Sequence, residues 1–188
     1  MLTSSHMKTV GVLFAAVTLA AASVLAIAGA GGAFNGRSWR DGTSCVVPAL
    51  PGQLVDATLV NMGGPMMRGA GGSMSGGMMR LSLDRSNVAA GQVSFLAVNG
   101  GNVNHELVVL PLSGGQIVGT RTIGADAKVD EAGSLGEASS TCAEGQGEGI
   151  APGTSSWVTV TLAPGRYEVV CNLAGHYSAG MYAQLTVT

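Results

Sequence analysis

The chain has 188 residues, of which 46% are hydrophobic but only 4% aromatic, with 30 glycines, 11% charged residues and a formal net charge of −2. That length suits one domain with a substantial core, and the charge balance leaves no basic footprint for a nucleic acid. Many glycines with little Lys or Glu favour short strands and tight turns over long surface helices.

In chain order, the first feature is a charge-free run, VGVLFAAVTLAAASVLAIAGA (Val10 to Ala30), preceded by Lys8 and containing small-residue sites such as Ala26-Ile27-Ala28. A basic start, an apolar stretch and small residues describe an export signal, and the run is also just long enough to span a bilayer. Residues 1–30 therefore read as a signal peptide or a membrane-anchor helix. Both readings deliver the rest of the chain outside the cytoplasm, to the outer face of the cytoplasmic membrane, the periplasm or the exterior. Residues 31–52, rich in Gly and small residues, read as a linker. Export makes the cysteine count informative. Cys45, Cys142 and Cys171 are an odd number, which implies a pair plus one thiol with another task. Cys171 shares a short loop with a His and a Met, leaving Cys45 and Cys142 as the expected disulfide.

Residues 53–188 read as one domain. QLVDATLV (Gln53 to Val60) is a first strand. The Gly/Met-rich loop 61–79 follows; Met62 to Met79 holds six of the nine methionines and shows no strand or helix period. MRLSL (Met79 to Leu83) alternates as a half-buried strand does, and QVSFLAVN (Gln92 to Asn99) and HELVVL (His105 to Leu110) are strands separated by a turn-forming GGN. A long insertion, residues 111–155, is rich in Gly, Ser and acid. It predicts one strand near Gln116 to Thr122 and a short helix around Val129 to Ala138. Its carboxylates Asp126, Asp130, Glu131, Glu137, Glu144 and Glu148 outnumber Arg121 and Lys128, so an acidic region of surface is expected. SWVTVTL (Ser156 to Leu162), the turn APG, RYEVVC (Arg166 to Cys171) and MYAQLTVT (Met181 to Thr188) complete the strands. Short strands with tight turns and no long amphipathic helix describe an all-β sandwich or barrel.

The loop CNLAGHYSAGM spaces Cys171, His176 and Met181 with four residues between each. Alternation puts His105 on one face with Leu107 and Val109, Cys171 with Tyr167 and Val169, and Met181 with Ala183, Leu185 and Val187. All three should point inward at strand ends, with His176 on the loop between two of them. The only other histidine is His6, in the leader. One at a time, a core His or a strand Met is ordinary packing; the convergence carries the metal reading. Two imidazoles, a thiolate and a thioether match in softness a copper ion cycling between Cu(I) and Cu(II). Structural zinc sites prefer further Cys or His, and magnesium or calcium prefers oxygen.

An upstream His on a strand, followed by C-x4-H-x4-M in the loop before the last strand, resembles the blue copper proteins of the cupredoxin family. The loop spacing is similar to that of rusticyanin, auracyanin and sulfocyanin, and the long insertion with an apolar N-terminal segment resembles the sulfocyanin group. The resemblance covers roughly Val55 to Thr188. It implies a Greek-key β-sandwich, a single type 1 copper bound by His105, Cys171, His176 and an axial Met181, and electron transfer. Several cupredoxins follow the upstream His with an Asn or Ser that braces the Cys loop. Glu106 stands there in this chain, so the bracing is expected to come from elsewhere, through Asn104.

These readings describe an exported one-electron carrier. Its electron exit would be His176, within an apolar rim of Leu173, Ala174, Tyr177 and Ala179 suited to brief docking of redox-partner proteins of a respiratory chain. A monomeric soluble domain is expected, with membrane contact only through residues 10–30. A copper enzyme would need further histidine-built centres for which no ligands remain, and a Cys–His nucleophile would leave Met181 and the second His without a role. No enzymatic activity is therefore expected. The alternative is a copper-handling protein, a chaperone or store, using the Met-rich loop as a soft Cu(I) site; the plainer reading of those methionines is adaptable packing.

Overall fold

The computed structural model describes residues 45–61 and 79–188. The export or anchor segment 1–30, most of the linker 31–52 and all but the ends of the Gly/Met-rich loop 61–79 lie outside the described residues. Among the described residues the chain forms nine strands and no helix: β1 (Gln53–Asn61), β2 (Met79–Leu83), β3 (Asn87–Val88), β4 (Gly91–Asn99), β5 (Leu107–Pro111), β6 (Gly136–Ala138), β7 (Ser155–Leu162), β8 (Gly165–Val170) and β9 (Tyr182–Val187). No helix among these residues is long and apolar enough to cross a membrane.

Two sheets result, in the orders β2-β1-β4-β7 and β3-β9-β8-β5-β6. β1 runs parallel to β4 and β3 parallel to β9; the other pairs are antiparallel. Alternation delivers one face of each strand to a common core. Val55, Ala57 and Leu59 of β1, Val93, Phe95 and Ala97 of β4, and Val158, Val160 and Leu162 of β7 meet Leu107, Val109, Val169, Leu185 and Val187 of the second sheet. This is the expected all-β sandwich.

The second sheet departs from simple alternation, because Leu107, Val108, Val109 and Leu110 are all fully buried. Val108, Leu110 and Val170 point away from the main core and pack with Val129 and Tyr177 in a second apolar cluster. The insertion thus covers the outer face of the sheet, and a strand buried on both sides reads as a continuous apolar run.

Inside the insertion two expectations are corrected. Residues 116–122 form turns, not a strand. Gly119 has φ +80°, and a Cβ on it would overlap the Tyr182 ring. The N–H groups here go to side chains instead of a ladder: Gly119 N–H donates to Glu168 Oε1 (2.6 Å) and Arg121 N–H to the Tyr177 hydroxyl (3.0 Å). Residues 129–138 form turns and the short strand β6, not a helix. Asp130 Oδ1 accepts the Ala132 N–H (2.9 Å), Ser134 N–H donates to the Glu131 carbonyl (2.8 Å) and Gly133 has φ +83°. Local Asp side-chain bonds and a left-handed glycine favour turns over a helix.

The layer is fastened by a buried ion pair. Glu168 is fully buried on β8; Arg121 Nε lies 2.6 Å from its Oε2, and the Tyr177 hydroxyl donates to its Oε1 (3.0 Å). Arg121 also donates to the Pro111 carbonyl (2.5 Å). Removing Arg121 leaves the buried Glu168 carboxylate without its counter-charge, with only the Gly119 N–H and the Tyr177 hydroxyl to answer it. We therefore expect Arg121→Ala to destabilise the fold by about 3–5 kcal/mol in denaturant titration.

Cys45 and Cys142 form the expected disulfide, 97 residues apart in sequence, and Cys171 is free and buried. Closing so long a loop stabilises by about 4–5 kcal/mol in the chain-entropy model. Peptide mapping without reduction should recover the Cys45–Cys142 linkage alone, and Cys45→Ser with Cys142→Ser should lower stability by that amount. A bridge that includes Cys171 would overturn the pairing.

Candidate metal centre

The neck of the C-terminal loop is a main-chain pair. Val170 faces Tyr182 across β8 and β9, and one step further the Cys171 N–H donates to the Met181 carbonyl (3.0 Å). Between these residues the chain folds into turns: His176 N–H donates to the Leu173 carbonyl (2.9 Å), Gly180 N–H to the Tyr177 carbonyl (2.9 Å) and Met181 N–H back to the His176 carbonyl (3.2 Å). Gly175 (φ +82°) and Gly180 (φ +101°) supply the left-handed residues those turns need. His105 arrives from the far side, just before β5. Its N–H and carbonyl both pair with Ile150, at 3.2 and 2.6 Å, so the start of the strand is pinned to the end of the insertion.

The expected residues come together. Cys171 Sγ lies 3.3 Å from His176 Nδ1 and 3.9 Å from His105 Nδ1, and the two Nδ1 atoms are 3.2 Å apart. His105, Cys171 and Met181 are fully buried, and His176 is partly exposed. Met181, the residue before β9, belongs to the same apolar cluster as Cys171, with Leu185 and Val187 of that strand. The point equidistant from the three donor atoms lies about 2.0 Å from each, which suits a metal bonded to imidazole nitrogen at about 2.0 Å and to thiolate at about 2.3 Å. Among the described residues, His105, Cys171 and His176 are the one group of His, Cys, Asp and Glu donors arranged to share an ion. Their chemistry, two imidazoles and one thiol with a thioether just ahead of the neighbouring strand, fits copper.

The surroundings explain how the donors are presented. The Glu106 N–H donates to Cys171 Sγ (3.3 Å). It is therefore the backbone of Glu106, and not the side chain of Asn104, that ties the His105 segment to the cysteine; Asn104 donates instead to the Glu148 carbonyl (3.4 Å). His105 Nε2 faces Asn61 Oδ1 at 3.4 Å, an acceptor that favours the proton on Nε2 and leaves Nδ1 as the donor atom. Gly101 leaves room for that pair, since a Cβ there would come within 2.9 Å of His105 Nε2 and overlap Asn61. Asn99 fastens the intervening loop through bonds to the Val103 carbonyl (2.8 Å), the Ile150 carbonyl (2.7 Å) and the Gly101 N–H (2.8 Å). Sequence reasoning missed Asn61 and Asn99. The first opens the Gly/Met-rich loop of the sequence and the second closes a predicted strand, and neither place carries a local sign of the partners it meets. Tyr177, expected on the apolar rim, is buried in the second cluster with its hydroxyl on Glu168, so the rim reduces to Leu173, Ala174 and Ala179.

Burial shapes the titration of the site. It pushes the Cys171 thiol up to about 12, although the Glu106 and Leu173 N–H groups favour the thiolate. It lowers His105 to about 4, helped by the neighbouring His176, and lowers His176 as well. Burial, with Glu137 and Glu131 nearby, raises Glu106 to about 7. Between pH 8 and 10 the sulfur of the metal-free site thus carries a proton that metal binding must release. Cu(I) affinity measured by chelator competition should rise about tenfold per pH unit over that range. A flat profile would exclude the thiolate as a ligand.

A two-sheet sandwich with a His, Cys, His and Met set at one end of its core defines the class: this is a cupredoxin-like fold, and His105, Cys171, His176 and Met181 form a candidate type 1 copper site. More narrowly, the sulfocyanin (SoxE) domain family matches residues 72–188, and the chain belongs to that family. Among solved structures it is similar to auracyanin B, with 25% identity over 77% of this chain and 94% of that one and a TM-score of 0.44. It is also similar to auracyanin A, described as a "blue" copper protein from the green thermophilic photosynthetic bacterium Chloroflexus aurantiacus (16% identity, 72% and 99% coverage, TM-score 0.40). Rusticyanin from Thiobacillus ferrooxidans is a further similar structure (14% identity, 73% and 79% coverage, TM-score 0.40). No curated protein sequence matches the chain significantly.

Proposed function

We propose that the protein is an exported one-electron carrier with a single type 1 copper held by His105, Cys171 and His176, and by Met181 as the axial donor. The observation that carries this reading is the triangle of two Nδ1 atoms and one Sγ, with sides of 3.2, 3.3 and 3.9 Å, buried at one end of the sandwich. Copper, when bound, supplies a reversible Cu(I)/Cu(II) couple. The chain's part is to hold three donors at fixed distances so that valence changes with little ligand movement, to keep water out, and to lead the electron to the surface. Burial of His105, Cys171 and Met181 serves the first two tasks. His176, partly exposed, serves the third, with partly buried Leu173 and Ala179 and exposed Ala174 around it as a small apolar docking surface for a respiratory redox partner. In this reading residues 1–30 export or anchor the chain, 31–52 are a linker and 53–188 are the copper domain. The donor set is used up by one ion, which favours a carrier over an enzyme.

Copper-loaded oxidised protein should be intensely blue from thiolate-to-copper charge transfer, with one copper per chain. Cys171→Ser should abolish the colour, because a hydroxyl cannot replace the soft thiolate. Met181→Leu should keep the colour and raise the reduction potential, since loss of an axial donor disfavours Cu(II). Absorption spectra and redox titration check both; a blue Cys171→Ser protein would falsify the assignment.

A further inference from the structure

The ligand loop leaves its sheet at Cys171, and among the described residues no strand pairs with it from there to His176. The partner it does have comes from the insertion. Ile123 and Val129 pair as the legs of a small hairpin, closed by Gly124 N–H to the Lys128 carbonyl (2.7 Å) and Ala127 N–H to the Gly124 carbonyl (3.0 Å). Asn172, 1% exposed, reads one leg as a strand would: its Oδ1 accepts the Val129 N–H (2.7 Å) and its Nδ2 donates to the Val129 carbonyl (2.9 Å). The second Nδ2 hydrogen goes to Glu131 Oε1 (2.6 Å), so the carboxamide has all its partners in the insertion. At the hairpin tip the Ala127 carbonyl accepts the Gly175 N–H (2.9 Å), the residue before the ligand His176. Ala127 makes that contact from φ +61°, a conformation a non-glycine residue keeps only where its surroundings over-determine it. On the other side of His176, the Tyr177 hydroxyl takes the Arg121 N–H (3.0 Å).

We infer that residues 121–131 are a working part of the metal centre, a brace that fixes the ligand loop on both sides of His176, and that Asn172 is the positioning residue through which it grips the loop. This inference rests on the copper reading above. Replacing the carboxamide would strand the buried N–H and carbonyl of Val129 and free the Cys171–His176 segment to change its spacing. A role confined to overall stability would loosen the whole sheet instead.

The two roles are separated by amide hydrogen exchange on the metal-free protein and by copper release from the loaded protein. The variants are Asn172→Ser and, as a control, Tyr167→Phe, which removes the bond from Tyr167 to the Ala163 carbonyl (2.8 Å) at the other end of β8. Asn172→Ser should speed exchange at Val129 and Gly175 at least tenfold relative to the amides of β8 and β9. It should also shift the charge-transfer band and speed copper loss to a chelator at least tenfold, while Tyr167→Phe does neither. If Asn172→Ser does not fold, Glu131→Ala, which removes only the third bond, should give the same changes at about threefold. Exchange at Gly175 and copper loss within twofold of the control would overturn the brace. A colourless copper-loaded parent protein would instead overturn the copper reading, and the exchange rates would still decide whether the hairpin holds the loop.

Discussion

Two imidazole nitrogens and a thiol sulfur, 3.2 to 3.9 Å apart in a buried site, have no reason of their own to stay together. Without an ion a weak bond from the Cys171 thiol to His176 Nδ1 (3.3 Å) is the most they offer one another, and burial disfavours the charged forms of all three. Everything that holds them is therefore scaffold. The Cys171–Met181 main-chain pair closes the loop, the double bond between His105 and Ile150 pins the opposite side, and the Glu106 N–H joins the two halves at the sulfur. Preformed spacing of this kind offers an ion its donors already in place.

The insertion adds a third layer to the two-layer sandwich on the outer face of β5 and β8. Val108, Leu110 and Val170 would face water in a plain sandwich; here they meet Val129 and Tyr177. The layer is held by polar contacts as much as by apolar ones, since Glu168 brings a full charge to the buried face and Arg121 answers it. A buried pair adds little net stability over an apolar substitute, but it penalises any arrangement in which the partners miss each other. That penalty fixes where the layer sits on the sheet, and with it where the hairpin meets the ligand loop.

How much of this was legible in the sequence follows from the range of the signals. β1, β2, β4, β7, β8 and β9 carry period-2 patterns, and the four candidate ligands follow from residue chemistry and from alternation at strand ends, both local properties. The insertion was misread because its backbone bonds run to side chains far away in sequence: Gly119 to Glu168, Arg121 to Tyr177, Val129 to Asn172. No window of ten residues contains both partners of such a bond. Glu106 shows the same limit from the other side. The identity of its side chain suggested that a brace was missing, whereas the group that reaches the sulfur is its N–H, which every residue but proline has.

The β8–β9 turn also divides the assembly of the site unequally. Cys171 and His176 are five residues apart and belong to one hairpin, whereas His105 is 66 residues from the cysteine it meets. Loop-closure entropy makes the distant approach costlier by about 2 kcal/mol. The hairpin half of the centre is the part the chain forms cheaply; the upstream histidine must be brought in and kept. The fastenings are distributed accordingly: Asn99 bonds three main-chain groups around the His105 approach, Ile150 takes two more, and Gly101 gives up its side chain so that Asn61 can reach the ring. The approach that chain entropy opposes most is thus tied to three separate parts of the chain.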